Sequence, residues 1–213
     1  MSKAALPTTR FLLVISLLLA AALLRPSEAR AAEETAIFAG GCFWCVEADF
    51  DYVPGVLSTI SGYIGGDAPN PTYAQISAGG TGYYEAVKIT FNPDIVSYEK
   101  LLDTFWRSVD PTDAGGQFCD RGDSYKTAIF TLSDAQKEIA TQSKVTLQRA
   151  GQLDDPIVTV IRTATAFYPA EDYHQDYYAR NPVRYKYYRF SCGRDARIAD
   201  LWGKEAHRGI LPH

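Results

Sequence analysis

The sequence predicts an α+β domain: an open sheet with helices packed on it and a long tail wrapped over the outside. Two observations predict the sheet and its helices. Short apolar runs at residues 35–39, 56–64, 83–91, 125–132 and 157–161 alternate with segments of helical spacing, and several of the connections are long. At 213 residues the chain has room for one domain with a sizeable core and does not need two. The tail is read from a change of composition. From Phe167 onward the chain turns aromatic and basic, as in Tyr185-Lys186-Tyr187-Tyr188-Arg189-Phe190, and such rings suit a covering segment, here about residues 183–213.

Residues 1–31 read as a secretory signal. Lys3 and Arg10 form a basic start, residues 11–24 an apolar run, and Ala29-Arg30-Ala31 a small-residue cleavage site. The apolar run is short for a membrane span. The reading therefore places residues 32–213 as a single exported domain, in the periplasm if the source is bacterial, with secretion or an uncleaved anchor as alternatives.

The strand at 35–39 leads into Gly40-Gly41-Cys42-Phe43-Trp44-Cys45, and Phe43, Val46 and Phe50 then fall on one helical face. The glycine pair is the turn between strand and helix. Cys42 so comes to the helix N-terminus, where unpaired amides favour a thiolate. Cys45 follows on the same face within disulfide reach. A nucleophilic thiol beside a resolving thiol is a redox site. The same pair could serve as half a zinc site, but Cys119 and Cys192 are isolated and make no second close pair, so no metal is expected. A structural disulfide and a thioredoxin-like dithiol are the other readings of the spacing, though two bulky aromatics between the cysteines are foreign to the latter.

Residues 56–64 read as a strand, followed by a Gly- and Pro-rich loop to Pro71 and then Tyr73. In the strand at 83–91, alternation puts Glu85 on the apolar side with Tyr83, Val87, Ile89 and Phe91. A carboxyl there is desolvated and holds its proton near neutral pH, which is what a general acid requires. Residues 97–109 read as a helix stopped by Asp110-Pro111. A polar loop over 113–123 carries Cys119 and Asp120. A strand at 125–132 follows, then a helix capped by Ser133 and ended at Gly151, then the strand at 157–161. His174 is given a structural hydrogen-bonding role, and His207 and His213 belong to no constellation.

Composition excludes some classes. A net charge of −4 gives no electrostatic reason to expect nucleic acid, in spite of the aromatic and basic tail. There is no phosphate-cradling glycine loop and no His-Glu metal motif. Two spare thiols in an oxidising compartment tend to pair, so a Cys119–Cys192 disulfide pinning the tail is expected, with Cys192 as a second resolving thiol the alternative.

Gly41-Cys42-Phe43-Trp44 resembles the signature of the A-type peptide methionine sulfoxide reductases. The resemblance continues through Gly62-Tyr63-Ile64-Gly65-Gly66, Asn70-Pro71-Thr72-Tyr73, Thr81-Gly82-Tyr83-Tyr84-Glu85, Phe105-Trp106, Asp110-Pro111-Thr112, Asp120-Arg121-Gly122 with Tyr125, and Ala170-Glu171-Asp172-Tyr173-His174-Gln175, over roughly residues 35 to 182 and in the family's order. It implies a two-layer α/β sandwich around a mixed sheet and thiol-dependent reduction of methionine S-sulfoxide, free or in oxidised proteins. It implies that Cys42 attacks the sulfoxide sulfur and Glu85 protonates the departing oxygen. Tyr73, Asp120 and Tyr125 would bind that oxygen, and Phe43 and Trp44 the S-methyl group. No bound cofactor is implied, only an external thioredoxin-like dithiol to reduce the resulting disulfide. Two departures stand out: position 45 is often glycine in the family, and Tyr83 and Tyr84 replace a common histidine and a small residue. The rival readings are a general exported thiol–disulfide oxidoreductase, which needs neither Glu85 nor the aromatic cage, and a secreted binding module with a structural disulfide.

Overall fold

Strand β1 (Glu34–Gly40) sets the frame because its side chains alternate between two apolar environments. Ala36 and Phe38 face the main core, while Ile37 and Ala39 face a smaller cluster on the opposite side. The computed structural model describes residues 32–212; the segment read as a secretory signal, residues 1–31, and His213 lie outside the described residues. After the turn at Gly41, helix α1 spans Phe43–Asp51, followed by β2 (Val56–Ile64), a short α2 (Tyr73–Ala78), β3 (Tyr84–Phe91) and α3 (Tyr98–Trp106). A two-stranded hairpin, β4 (Gly116–Gln117) and β5 (Asp120–Arg121), precedes β6 (Thr127–Thr131), α4 (Asp134–Arg149), β7 (Val160–Thr163) and β8 (Tyr168–Pro169).

The six-stranded sheet has the order β7-β6-β1-β3-β2-β8. All neighbours are antiparallel except β6 and β7, so the sheet is mixed, as expected. The helices supply the second layer. Leu101, Leu102, Phe105 and Trp106 of α3 are buried against the face that carries Phe38, Val87, Ile89 and Phe91. Ser97 and Ser133 cap α3 and α4, their side chains accepting from Lys100 N at 3.4 Å and from Gln136 N at 3.2 Å. The far face is not left bare: Ile64, Ala86 and Phe130 there are covered by Tyr84, Ala164 and Phe167.

The tail is helical where the sequence showed only a wrapping segment. It enters by pairing β8 with β2, Pro169 opposite Gly62. A Cβ at Gly62 would stand 2.4 Å from the Phe167 ring and 2.5 Å from the Tyr168 carbonyl oxygen, so the close approach needs glycine. Then come α5 (Tyr177–Arg180), α6 (Pro182–Ser191) and α7 (Arg194–Trp202). Periodicity hid α6 because its pattern is inverted. Val183, Tyr187 and Phe190, one helical stripe, are 75–85% exposed, whereas Tyr185 and Arg189 are buried. Pro182 sits in the first turn, where a missing N–H is harmless, and Gly193, at φ 72°, separates α6 from α7.

The expected disulfide is present: Cys119 and Cys192 are joined across 73 residues. It ties the end of α6 to the β4–β5 hairpin, whose tight turn holds Phe118 at φ 56°, a conformation uncommon for a bulky side chain. Replacing both cysteines by serine is expected to leave the sheet and main core intact and to lower stability by about 2–4 kcal/mol, the usual contribution of a long-loop disulfide. Denaturant unfolding monitored by circular dichroism checks this, and an unchanged midpoint would show that the link holds nothing that packing does not.

Candidate active site

The turn that delivers Cys42 is shaped by what lies beneath it. Gly41 has φ 86°, and a Cβ there would stand 2.6 Å from the Cβ of buried Gln117. Gln117 is fixed in turn, donating to the Asp110 carbonyl at 2.7 Å and accepting from Asp110 N at 2.9 Å. One buried amide therefore sets the redox turn against the hairpin that carries Asp120. Cys42 is the N-cap of α1 without a side-chain capping bond, as the glycine-turn reading places it. The first helical amide, Phe43 N, instead donates to Glu85 Oε2 at 3.1 Å. Glu85 reaches it from the core side of β3, the side that alternation assigned, and is 2% exposed.

Around Cys42 the structure brings together Phe43, Trp44, Tyr73, Glu85, Asp120 and Tyr125 as the walls of one cleft, enclosing about 70 Å³. That is room for a small terminal group, with a longer chain left outside. Cys45 is set behind this surface, 2% exposed, packed with Ala48 and Tyr185. Cys42 and Cys45 are both free thiols.

The aromatic walls are held from the β8–α5 segment. Trp44 Nε1 donates to His174 Nδ1 at 3.0 Å, and its ring stacks on Tyr177 at 3.7 Å. His174 is buried, and burial lowers its pKa, so the neutral ring is the acceptor Trp44 requires. Glu171 accepts from Tyr73 N at 2.9 Å and from the Tyr63 hydroxyl at 2.9 Å, which places Tyr73 at the rim. These bonds give His174 the structural part expected of it.

Burial controls the acid–base properties. It pushes the Glu85 carboxyl up to about 8, against the opposing Phe43 hydrogen bond, so the group is neutral at pH 7. Burial also raises Asp120, with the Tyr188 hydrogen bond and Arg194 acting the other way. The thiols depart from expectation. Burial raises the Cys42 thiol well above its ordinary range, and its hydrogen bond to Cys45 adds to the effect. Cys45 is lowered by that same bond, despite burial, with Arg194 and Arg189 assisting. A helix N-terminus was expected to make Cys42 the resting thiolate. In this dry pocket desolvation outweighs the dipole at Cys42, and Cys45 is the thiol of the pair whose acidity is increased.

Sequence reasoning missed Tyr188, which lines the cleft and donates its hydroxyl to Asp120. The available signal was spacing: Tyr188 lies four residues before Cys192, so a disulfide from Cys192 to the neighbour of Asp120 aims the face of Tyr188 at the site. It also missed Asp49, Arg189 and Arg194, a buried charge cluster behind Cys45.

Comparison with known proteins bears on this geometry. A family model described as peptide methionine sulfoxide reductase matches residues 34–206. The peptide methionine sulfoxide reductase MsrA of Bacillus licheniformis is 52% identical over 172 residues, covering 81% of this chain and 95% of that protein. MsrA 2 of Rhizobium meliloti is 54% identical over 183 residues, covering 85% and 90%. Among solved structures, reduced Mxr1 from Saccharomyces cerevisiae superposes with a TM-score of 0.65 at 31% identity, over 71% of this chain and 87% of that one. Methionine sulfoxide reductase A of Corynebacterium diphtheriae gives 0.63 at 32% identity, over 72% and 77%.

The folded pKa of Glu85 lies above the ordinary carboxylate value, so its neutral form predominates up to about pH 8 and is lost above it. Carbon NMR of glutamate-labelled protein is expected to show two carboxyls with midpoints near 8, those of Glu85 and the buried Glu47, and only the Glu85 signal should be absent in Glu85→Gln. Wild-type stability should fall relative to that variant as pH rises from 4.5 to 8. A Glu85 midpoint near 4.5 would contradict the site's electrostatics.

Proposed function

This chain belongs to the peptide methionine sulfoxide reductase family and reduces methionine sulfoxide to methionine; we propose that Cys42, Cys45 and Glu85 carry out the reaction in the order that follows. The substrate's sulfinyl and methyl groups enter the cleft, the methyl against Phe43 and Trp44, the oxygen toward Glu85, Tyr73, Tyr125 and Asp120. The Cys42 proton passes to the Cys45 sulfur as Cys42 attacks the sulfoxide sulfur, and Glu85 protonates the oxygen. The substrate S–O bond breaks, the oxygen passes to the Cys42 sulfur and methionine departs, so a thiol and a sulfoxide become a sulfenic acid and a thioether. Cys45 then attacks the Cys42 sulfur, an S–S bond forms, and water leaves. An external dithiol protein of thioredoxin type restores both thiols by exchange, being itself oxidised to a disulfide.

The observation that carries this reading is the neutral, buried Glu85 within the same cleft as Cys42, joined to the Phe43 amide at 3.1 Å. A general thiol–disulfide oxidoreductase has no use for a neutral carboxyl or an aromatic cage at its thiol, so that alternative leaves most of the cleft unexplained. The resemblance supports the S epimer as the substrate, one enzyme class serving each epimer. Residues 1–31 support export, with the periplasm as the compartment in a bacterium and oxidised proteins or free methionine sulfoxide as the substrates to be repaired there.

Turnover of separate S and R epimers with a small dithiol tests the assignment, activity on R alone contradicting it. Cys42→Ser is expected to abolish methionine release, whereas Cys45→Ser should release one equivalent per enzyme and stop. Steady turnover by Cys45→Ser would assign resolution to another thiol. Glu85→Gln should slow the reductive step by roughly 10²–10⁴-fold, the usual contribution of a positioned general acid. A single-turnover rate within about threefold of wild type would remove Glu85 from the chemistry, since general-acid losses are normally larger.

A further inference from the structure

Behind Cys45 lies a group of buried charges that the reaction as written does not use. Asp49 is on α1, one turn beyond Cys45 and on the same face, and is 0% exposed. Arg189 of α6 meets it at 2.7 Å and holds Asp195 with its other nitrogens at 2.7–3.1 Å. Arg194 opens α7 and is 1% exposed. It donates to the carbonyls of Gly40 at 3.0 Å and Ser108 at 2.8 Å, lies over the Phe118 ring at 4.8 Å, and is 3.7 Å from Asp49. Its Nε is buried without a hydrogen-bond partner.

The charges are unevenly buried. Of the two carboxylates that face the two guanidiniums only Asp49 is fully buried, whereas Asp195, which pairs with both Arg189 and His207, is half exposed. A buried cation with incomplete compensation is expensive, and a fold that keeps one has a use for it. Arg194 is also in place to act on the redox turn, because the Gly40 carbonyl it holds lies two residues before Cys42.

We propose that Arg194, with Arg189, is the counter-ion site of a Cys45 thiolate, Asp49 holding the two guanidiniums in place, and that it makes the Cys42–Cys45 disulfide easier to reduce. Forming the S–S bond removes the negative charge and leaves Arg194 to share Asp49 with Arg189. Reduction restores it: two electrons come from an external dithiol, one proton goes to Cys42, the other to solvent, and Cys45 remains a thiolate. A site that stabilises the reduced form raises the potential of its disulfide. The other groups facing Cys45 are Cys42 from α1, Glu85 from β3, and Tyr185 and Tyr188 from α6. Glu85 is neutral below about pH 8, and burial raises both tyrosines, so Cys42 and the two arginines are what hold the thiolate, against burial and the opposing charge of Asp49. Arg194 is thus a positioning residue, supplied by the tail and anchored two residues after the Cys119–Cys192 link. The inference rests on Cys45 being the resolving thiol.

The test uses the intact protein, with Arg194→Met removing the charge and Arg194→Lys keeping it. Thiolate absorbance at 240 nm is titrated, with Cys45→Ser identifying the Cys45 signal. The Cys42–Cys45 linkage at equilibrium with glutathione is read by alkylation and peptide mapping, so that Cys119–Cys192 is not counted. Arg194→Met is expected to raise the Cys45 titration by about one unit or more, which is about tenfold in its protonation constant. It should shift the glutathione equilibrium by a similar factor toward the disulfide, and Arg194→Lys should recover most of both. A folded Arg194→Met within about twofold of wild type overturns the proposal, since a tenfold change follows from one pKa unit. A lysine variant as perturbed as the methionine one also overturns it, because the guanidinium would then be only a backbone clamp. If Arg194→Met does not fold, the wild-type protein still decides: two thiols that both titrate at or above the ordinary range overturn the proposal. Failure of the resolving role is told apart by steady turnover in Cys45→Ser, since neither the titration nor the glutathione equilibrium uses substrate.

Discussion

The hydrogen bond from Phe43 N to Glu85 is the contact on which the site depends. The first turn of a helix leaves amides without partners, and here one is met by a carboxyl from a neighbouring strand instead of a capping side chain. That single bond fixes the start of α1 against β3 and brings a neutral carboxyl beside the Cys42 thiol. Burial then does the chemistry's other half, since the desolvation that keeps Glu85 neutral also keeps Cys42 protonated. The hydrogen bond between the two thiols acts oppositely on them, and Cys45 is lowered, with Arg194 and Arg189 assisting.

The tail completes a cleft that the sheet and its helices begin. Tyr188 of α6 closes the wall at Asp120, and Trp44 is held between His174 and Tyr177, both past residue 170. Arg194 of α7 grips the carbonyls of Gly40 and Ser108. The Cys119–Cys192 disulfide joins the two contributions, one cysteine next to Asp120 and the other one turn beyond Tyr188. An enzyme built this way couples the geometry of its active site to the docking of its last forty residues or so.

Most of the sheet and the front of the cleft were legible in the sequence because they obey period-two and glycine-turn rules. Alternation placed Glu85 on the core face of β3, and the Gly40-Gly41 pair placed Cys42 at the start of α1. What was not legible has identifiable causes. Helix α6 buries Tyr185 and Arg189 and exposes Val183, Tyr187 and Phe190, so hydrophobic spacing points away from the truth. The protonation of Cys42 was misread because the helix N-terminus is a local feature, whereas desolvation and Cys45 act through packing that spacing does not reveal. Asp49, Arg189 and Arg194 meet only in three dimensions, across about 140 residues of chain, and no local pattern announces a buried ion cluster.

In the proposed mechanism a neutral Glu85 supplies the proton when Cys42 attacks. Its most direct measurement is the single-turnover rate of methionine formation against pH, in wild type and in Glu85→Gln. The wild-type rate is expected to fall as pH rises through about 8, following loss of the Glu85 proton, and the variant is expected to be slow and to lack this limb. A falling limb near pH 8 that persists in the variant would contradict it and assign the proton to another group.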